Sequence, residues 1–248
     1  MTRVAIAGGT GLAGRHVAAA LRAAGHEAVL LSRASGVDVL QRGGLAGALD
    51  GVAAVIDVLN TPATRPEQTR EFFGTSTQNL LAAEQQAGVG RHVLLSIVGV
   101  DRIAGNAHYA GKRLQEQLVA AGPVPATIVR ATQFYEFPVM VAGWARRDGQ
   151  TEVPPLLMQP VAVADVAAHL SRAALSPAAG LVELAGPELQ DLVDMARRTF
   201  AARGEQTRLI PTWRGPFGVE MAGEVLLPGP DAMRGDVTFE QWLAAQRG

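Results

Sequence analysis

The chain has 248 residues, no cysteine and a formal net charge of -1 at pH 7. That length suits one sizeable α/β domain and is short of two large ones, while the missing cysteine excludes disulfides, thiolate nucleophiles and cysteine metal sites. The balanced charge leaves no basic excess for nucleic-acid phosphates, no apolar run approaches the roughly twenty residues that span a bilayer, and no signal core opens the sequence, so a soluble cytoplasmic protein that does not bind DNA is expected.

Val4–Ala7 is a short apolar run that feeds a glycine cluster, Gly8-Gly9-Thr10-Gly11-Leu12-Ala13-Gly14, and then a helical pattern over His16 to Ala24. Strand, tight turn and helix in this order suit a dinucleotide: its pyrophosphate is held by backbone N–H groups at a helix start, and side chains on the turn would keep it away. Gly9, Gly11 and Gly14 fit G-x-G-x-x-G in the context that motif requires. Gly8, Thr10, Gly11, Leu12, Ala13 and Gly14 are therefore candidate cofactor contacts.

A second strand is expected over Ala28 to Leu31, a loop and short helix over Ala34 to Leu49, and a third strand over Ala53 to Val58 that ends in Leu59-Asn60-Thr61-Pro62. The end of the second strand selects the dinucleotide, because a carboxylate there binds a ribose 2′-hydroxyl and an arginine a 2′-phosphate. Ser32-Arg33 stands at that point, so NADP is favoured over NAD, with Asp38 and Val39 placed near the adenine. Leu59 and Asn60 lie on the cofactor side if the sheet is doubly wound.

Helical spacing runs from Glu71 to Ala87, His92 to Val98 reads as a buried central strand broken by Ser96, and a helix follows over His108 to Ala121. Residues three and four apart share a helical face, so His108 and Tyr109 both lie beside Lys112, where a cation can hold a ribose and tune a neighbouring proton donor. The alternative is an exposed helix start with Lys112 paired to Glu116. Ala126 to Arg130 is a strand leading into a polar and aromatic loop: Gln133 is a candidate cofactor contact, and Phe134, Tyr135, Phe137 and, further on, Trp144 are candidate substrate contacts.

From residue 138 the strand–helix rhythm loosens. A helix is expected from Asp165 to about Leu175, a strand over Leu181 to Leu184 and a helix over Leu189 to Arg203. Thr238-x-x-Gln241 has the form of a capping box opening a last short helix. His16 and His92 read as structural, and no set of His and carboxylates has metal spacing.

Together these features predict a Rossmann-like, doubly wound parallel α/β sheet over residues 1–248, with 138–248 forming most of a small substrate-side α/β part. The glycine segment 8–14, Ser96-Ile97-Val98-Gly99, the helix around Lys112-Arg113-Leu114-Gln115-Glu116, Arg130 to Phe137 and Pro160 to Ala167 resemble the short-chain dehydrogenase/reductase superfamily, specifically its atypical NmrA-like branch. The resemblance runs from the first strand to about Leu184. It implies an NADPH-dependent reductase of a small apolar carbonyl, quinone or enone, with Ser96, Tyr109 or His108, and Lys112 as catalytic residues, and a monomer or homodimer. One departure stands out: His108 occupies the tyrosine position of that superfamily's Tyr-x-x-x-Lys pair, and Tyr109 is one residue late. The branch includes regulators as well as enzymes, so the alternative is a non-redox NADP-binding protein: a redox sensor, or an isomerase, dehydratase or cyclase.

Overall fold

Seven parallel strands carry the fold in a computed structural model that describes residues 1–147, 150–214 and 217–246. Gly215 and Pro216, within a stretch from Pro211 to Gly235 whose pattern predicts no clear element, lie outside the described residues. β1 (Arg3–Ala7) leads through the glycine turn into α1 (Leu12–Ala23), and β2 (Glu27–Leu31) pairs with one side of β1. A 3-10 turn at Arg33–Ser35 and the one-turn helix α2 (Leu45–Ala48) precede β3 (Ala54–Asp57), which pairs with the other side of β1. Then α3 (Pro66–Ala87), β4 (His92–Ile97), α4 (Ala107–Ala120) and β5 (Ala126–Ala131) extend the sheet outward.

The remaining chain forms α5 (Phe137–Ala145), β6 (Arg146–Arg147), β7 (Gln150–Val153), β8 (Leu157–Met158), α6 (Val163–Leu175), β9 (Gly180–Ala185), β10 (Gln190–Asp191), α7 (Leu192–Ala202), β11 (Arg208–Pro211), β12 (Met233–Arg234) and α8 (Phe239–Ala244). The main sheet has the order β12-β9-β5-β4-β3-β1-β2, and β11-β7-β6 and β10-β8 make two small sheets outside it.

After Arg3, β1 reads as unbroken apolar over Val4–Ala7 because both faces of the sheet are covered. Val4 and Ile6 pack with Val17 and Leu21 of α1 and Val166 and Leu170 of α6, whereas Ala5 and Ala7 pack with Leu45 of α2, Leu49 at its carboxyl end and Leu80 of α3. The crossover helices therefore change face between β1 and β3, and that reversal opens a crevice at the carboxyl ends of those two strands. α4 lies close against α3 because Gly111 has no side chain; a Cβ there would come within 2.9 Å of Thr69 Cβ and 2.5 Å of Phe73 Cδ2.

A third apolar cluster covers the carboxyl edge of the sheet, where Tyr109, Tyr135, Met158, Leu192, Met195, Phe239 and Leu243 meet. The capping box closes as expected, with Thr238 Oγ1 accepting from Gln241 N–H and Gln241 accepting from Thr238 N–H. Two expectations shift. α3 starts at Pro66 rather than Glu71, because Pro66 at its first turn sets the backbone although the polar residues after it show no apolar spacing. Gln190 and Asp191, expected to be helical, pair with Met158 and Leu157, and α7 begins only after Asp191 caps it by accepting from Asp194 N–H.

Candidate functional site

The glycine turn is built by exclusion. Gly8 has φ +85° and lies so close to β3 that an added Cβ would be 3.0 Å from Val58 O and 3.2 Å from Leu59 N. A Cβ on Gly14 would drive into the Gly8 carbonyl oxygen and stand 2.6 Å from Gly9 Cα. Gly11 precedes α1 with no side chain capping it. The first-turn amides of Leu12, Ala13 and Gly14 thus face the crevice end of the helix with its partial positive charge and without intrahelical acceptors. Thr10 is exposed, and its carbonyl accepts from Arg15 Nη1 at 2.6 Å. A diphosphate fits these features, because the turn leaves backbone amides where side chains would otherwise stand.

At the end of β2, Ser32 and Ser35 form a capping box around the 3-10 turn, and Ser35 Oγ donates to Leu30 O. Arg33 follows on the exposed first residue of that turn, and no hydrogen bond or ion pair ties its guanidinium to another described residue. Asp38 accepts from Leu40 N–H, and Val39 is buried, with its carbonyl accepting from Asn79 Nδ2. Asn60 Oδ1 accepts from Thr61 N–H.

The second group gathers where β4, β5 and α4 meet. Asn106 caps α4 by accepting from the amides of His108 and Tyr109, which fixes the start of the helix. Lys112 is 5% exposed. Its Nζ donates to Leu95 O at 2.9 Å, Gln115 Oε1 at 2.9 Å and Leu59 O at 3.3 Å, and sits over the Phe73 ring. Burial pulls its pKa down to about 8 against the opposing pull of Asp57 and Glu116. The expected alternative of an exposed Lys112–Glu116 pair is absent: Glu116 is bound instead by Nε and Nη2 of Arg130, whose Nη1 reaches Asp101.

His108 lies edge-on to the Phe73 and Tyr109 rings, and burial first, then the Lys112 charge, lower its pKa to about 4. The ring is therefore neutral at pH 7. Tyr109 is 4% exposed, burial raises its pKa well above the ordinary phenol value, and the Gln133 side chain beside its hydroxyl opposes that shift. Ser96 Oγ on β4 and Gln133 Oε1 just beyond β5 are both buried without a hydrogen-bond partner. A buried polar atom left unpaired costs about 1–3 kcal/mol, and these two, at neighbouring strand ends, are available to a ligand that reaches them.

The aromatic loop divides. Phe134 packs against the main core, and Tyr135 is 1% exposed, its ring tilted against Phe239 and Trp242, with its hydroxyl donating to Val237 O at 2.8 Å. Asp165 of α6 accepts from Val237 N–H, so both backbone polar groups of Val237 are held. Phe137 and Trp144 instead meet Phe217 in an edge-on and tilted group, and Trp144 is 57% exposed. Phe217 was not legible as part of this group, because only the tertiary fold brings it to α5.

Asp57 and Gln115 are the site residues that spacing alone does not reveal. Asp57 is wholly buried; its Oδ1 accepts from Leu59 N–H at 2.9 Å and its Oδ2 from Gln115 Nε2 at 2.8 Å. A carboxylate at the end of an apolar strand was the available signal, since burial of one demands partners. Among the described residues no cluster of three or more metal-ligating side chains occurs, and no helix is long and apolar enough to cross a membrane.

A family profile described as NAD(P)H-binding matches residues 34–177. No curated protein matches the chain. Among solved structures, the chain is similar to UDP-N-acetylglucosamine 4-epimerase from Bacillus cereus, at 15% identity over 100% of this chain and 96% of that one, with a TM-score of 0.73. It is also similar to UDP-glucose 4-epimerase from Thermus thermophilus in complex with NAD, at 17% identity over 98% and 93%, with a TM-score of 0.69. An NADPH-dependent quinone oxidoreductase from Escherichia coli, complexed with NADPH, aligns at 20% identity over 84% and 78%, with a TM-score of 0.65. At these identities the likeness is one of fold.

Proposed function

The chain belongs to a family of NAD(P)H-binding proteins, and from that premise we propose that it is an NADPH-dependent reductase of a small apolar carbonyl, quinone or enone. We place it in the NmrA-like branch, as a cytoplasmic monomer or homodimer that binds neither nucleic acid nor membrane. Its 248 residues act as one Rossmann domain, with 138–248 supplying most of the substrate side.

One observation supports this reading most: the unpaired, buried Ser96 Oγ and Gln133 Oε1 at adjacent strand ends, with the Tyr109 hydroxyl beside Gln133. When bound, a nicotinamide dinucleotide supplies hydride. Amides of Leu12, Ala13 and Gly14, with Thr10, receive the diphosphate on a turn that Gly8 and Gly11 shape, the Gly11 N–H donating to Gly8 O and the Gly8 N–H to Leu31 O; Asp38, Val39, Leu59 and Asn60 border the adenosine side. Ser96 orients the substrate oxygen, Gln133 reaches the nicotinamide end, and Lys112 supplies positive charge at the crevice floor. Tyr109 donates its hydroxyl hydrogen to the developing oxyanion, since His108, neutral and wedged against Phe73, is a poor acid. Phe137 and Trp144 wall the substrate side, with Phe134 and Tyr135 fixing the loop that presents them.

Adding NADPH and a panel of quinones, enones and ketones to the purified protein and following NADPH absorbance is the test. Turnover is expected with at least one of them, and Tyr109→Phe should lower it by about 10²–10⁴-fold. Tight NADPH binding without turnover on any substrate would remove the reductase reading.

Arg33 favours NADP, with NAD as a weaker ligand, because its exposed guanidinium has the planar fork that suits a 2′-phosphate. Arg33→Ala should therefore weaken NADPH binding by about 1.5–3 kcal/mol, roughly ten- to a hundredfold, and leave NADH binding almost unchanged. Fluorescence titration with both coenzymes reads this; equal losses would exclude Arg33 from the phosphate site.

A second reading is favoured by the proton donors. Tyr109 holds its proton more tightly than free phenol, and His108 stands where the superfamily places tyrosine, which suits a non-redox protein in which the dinucleotide is a structural or sensed ligand. Reductase activity that appears only in His108→Tyr would establish it.

A further inference from the structure

Lys112 stands at the position that the superfamily resemblance gives to a ribose-holding lysine. An ammonium has three N–H donors, and here all three are directed at protein acceptors: Leu59 O, Leu95 O and Gln115 Oε1. A ribose hydroxyl would have to displace one of them. The same contacts close a buried ring. Gln115 hands the connection on to Asp57 Oδ2, Asp57 Oδ1 takes Leu59 N–H, and Lys112 takes Leu59 O. Both backbone polar groups of one residue, Leu59, are thereby fixed by two charged side chains and an amide that relays between them.

Leu59 is also the wall of the crevice. The missing side chain of Gly8 lets the glycine turn rest on the Val58–Leu59 peptide, at 3.0 Å from Val58 O and 3.2 Å from Leu59 N for an added Cβ. Asp57 holds that peptide through Leu59 N–H, and Lys112 holds the next one, Leu59–Asn60, through Leu59 O, so rotation of the backbone at Leu59 would move the floor under the turn that receives the diphosphate. Leu95 O ties the same lysine to β4, so the ring also sets the spacing of β3 and β4 at their carboxyl ends.

We propose that Asp57, Gln115 and Lys112 form a positioning unit that holds the Leu59 peptide against the glycine turn, and so governs binding of the diphosphate rather than of the nicotinamide ribose. This rests on the reading that the crevice takes a dinucleotide. The groups that face Lys112 are Asp57 from β3, Glu116 and His108 from its own helix, the Phe73 ring from α3 and the Leu95 carbonyl from β4.

Calorimetry with NADPH and with ADP, which keeps the diphosphate but has no nicotinamide ribose, separates the two roles. Asp57→Asn and Lys112→Met should each weaken both ligands by the same factor, about tenfold or more. Asp57→Asn is the sharper case, since removing a negative charge near the crevice would tighten ADP if charge alone mattered. Gln115→Met leaves both charges in place and should show the same parallel loss, which covers the case in which a charge variant does not fold. In the unaltered protein, ADP affinity should fall as pH rises through about 8, and this dependence should vanish in Lys112→Met. Loss of NADPH affinity with ADP unchanged in Lys112→Met, tighter ADP in Asp57→Asn, or unchanged ADP in Gln115→Met would each overturn the proposal. Failure of the unaltered protein to bind either ligand, seen before any variant is made, would remove the dinucleotide reading and this inference with it.

Discussion

Gly14→Ala is expected to lower dinucleotide affinity about a hundredfold, equivalent to about 2.7 kcal/mol, while the protein keeps its fold. The added methyl would meet only backbone: the Gly8 carbonyl oxygen, Gly9 Cα and the Gly9 carbonyl carbon. No flexible side chain can swing aside, so either α1 recedes or the glycine turn moves. α1 is held by Val17, Ala18 and Leu21 in the main core, and the turn is therefore the part that yields, carrying the amides that face the diphosphate. Overpacking of this kind costs about 1–3 kcal/mol of stability as well. Gly143→Ala is the control. Its position in α5 has open space around it, and exchange of glycine for alanine inside a helix should stabilise by about 0.5–1 kcal/mol without touching affinity. Chemical denaturation and NADPH titration of the two variants read both effects, and unchanged affinity in Gly14→Ala would show that the turn is not the binding element.

The largest loss of stability is expected at the opposite end of the sheet. His92, opening β4, and Glu84 of α3 are both fully buried, with Nδ1 and Oε1 2.8 Å apart, and each keeps a second polar atom, Nε2 and Oε2, without a partner. Burial disfavours the imidazolium, but the facing Glu84 carboxylate, with a smaller pull from Asp57, raises the His92 pKa above its ordinary value. His92→Leu strands a carboxylate in the core and should cost about 3–5 kcal/mol. Glu84→Leu leaves an imidazole that can simply remain neutral, so about 1–3 kcal/mol is expected. The sign of the pH dependence follows: a raised folded-state pKa gives stability that is complete below the unfolded value of about 6.5 and is lost as pH rises through the folded value. His108 and His169, both shifted down, change the balance only below that window. Urea unfolding from pH 6.5 to 8 should therefore show falling stability that Glu84→Leu flattens. An equal slope in that variant would assign the pH dependence elsewhere.

The strand–glycine–helix opening, the parallel sheet implied by alternating strands and helices, and the last helix could be read from sequence because each rests on local chemistry: an apolar run covered on both faces, glycines where backbone meets backbone, a Thr-x-x-Gln cap. The site is less legible. Ser96 and Lys112 could be singled out by position, but that the three donors of Lys112 are turned inward depends on Gln115 and on Asp57, 58 residues away from it, and no spacing rule connects those two. Tyr135 illustrates the same limit: following a strand end suggested an open aromatic, and only the return of α8 over the loop buries it beside Phe239 and Trp242. Short strands such as β6, β7 and β11 were illegible because two to four residues carry no periodicity; their pairing is decided by neighbours far along the chain.

Titration calorimetry of ligand-stripped protein with NADPH and NADP tests most directly whether the crevice between β1 and β3 receives a dinucleotide diphosphate. Saturable heat corresponding to one dinucleotide per chain, sharply reduced in Gly14→Ala, is the predicted result. No heat with either the reduced or the oxidised coenzyme, or binding that Gly14→Ala leaves intact, would contradict it.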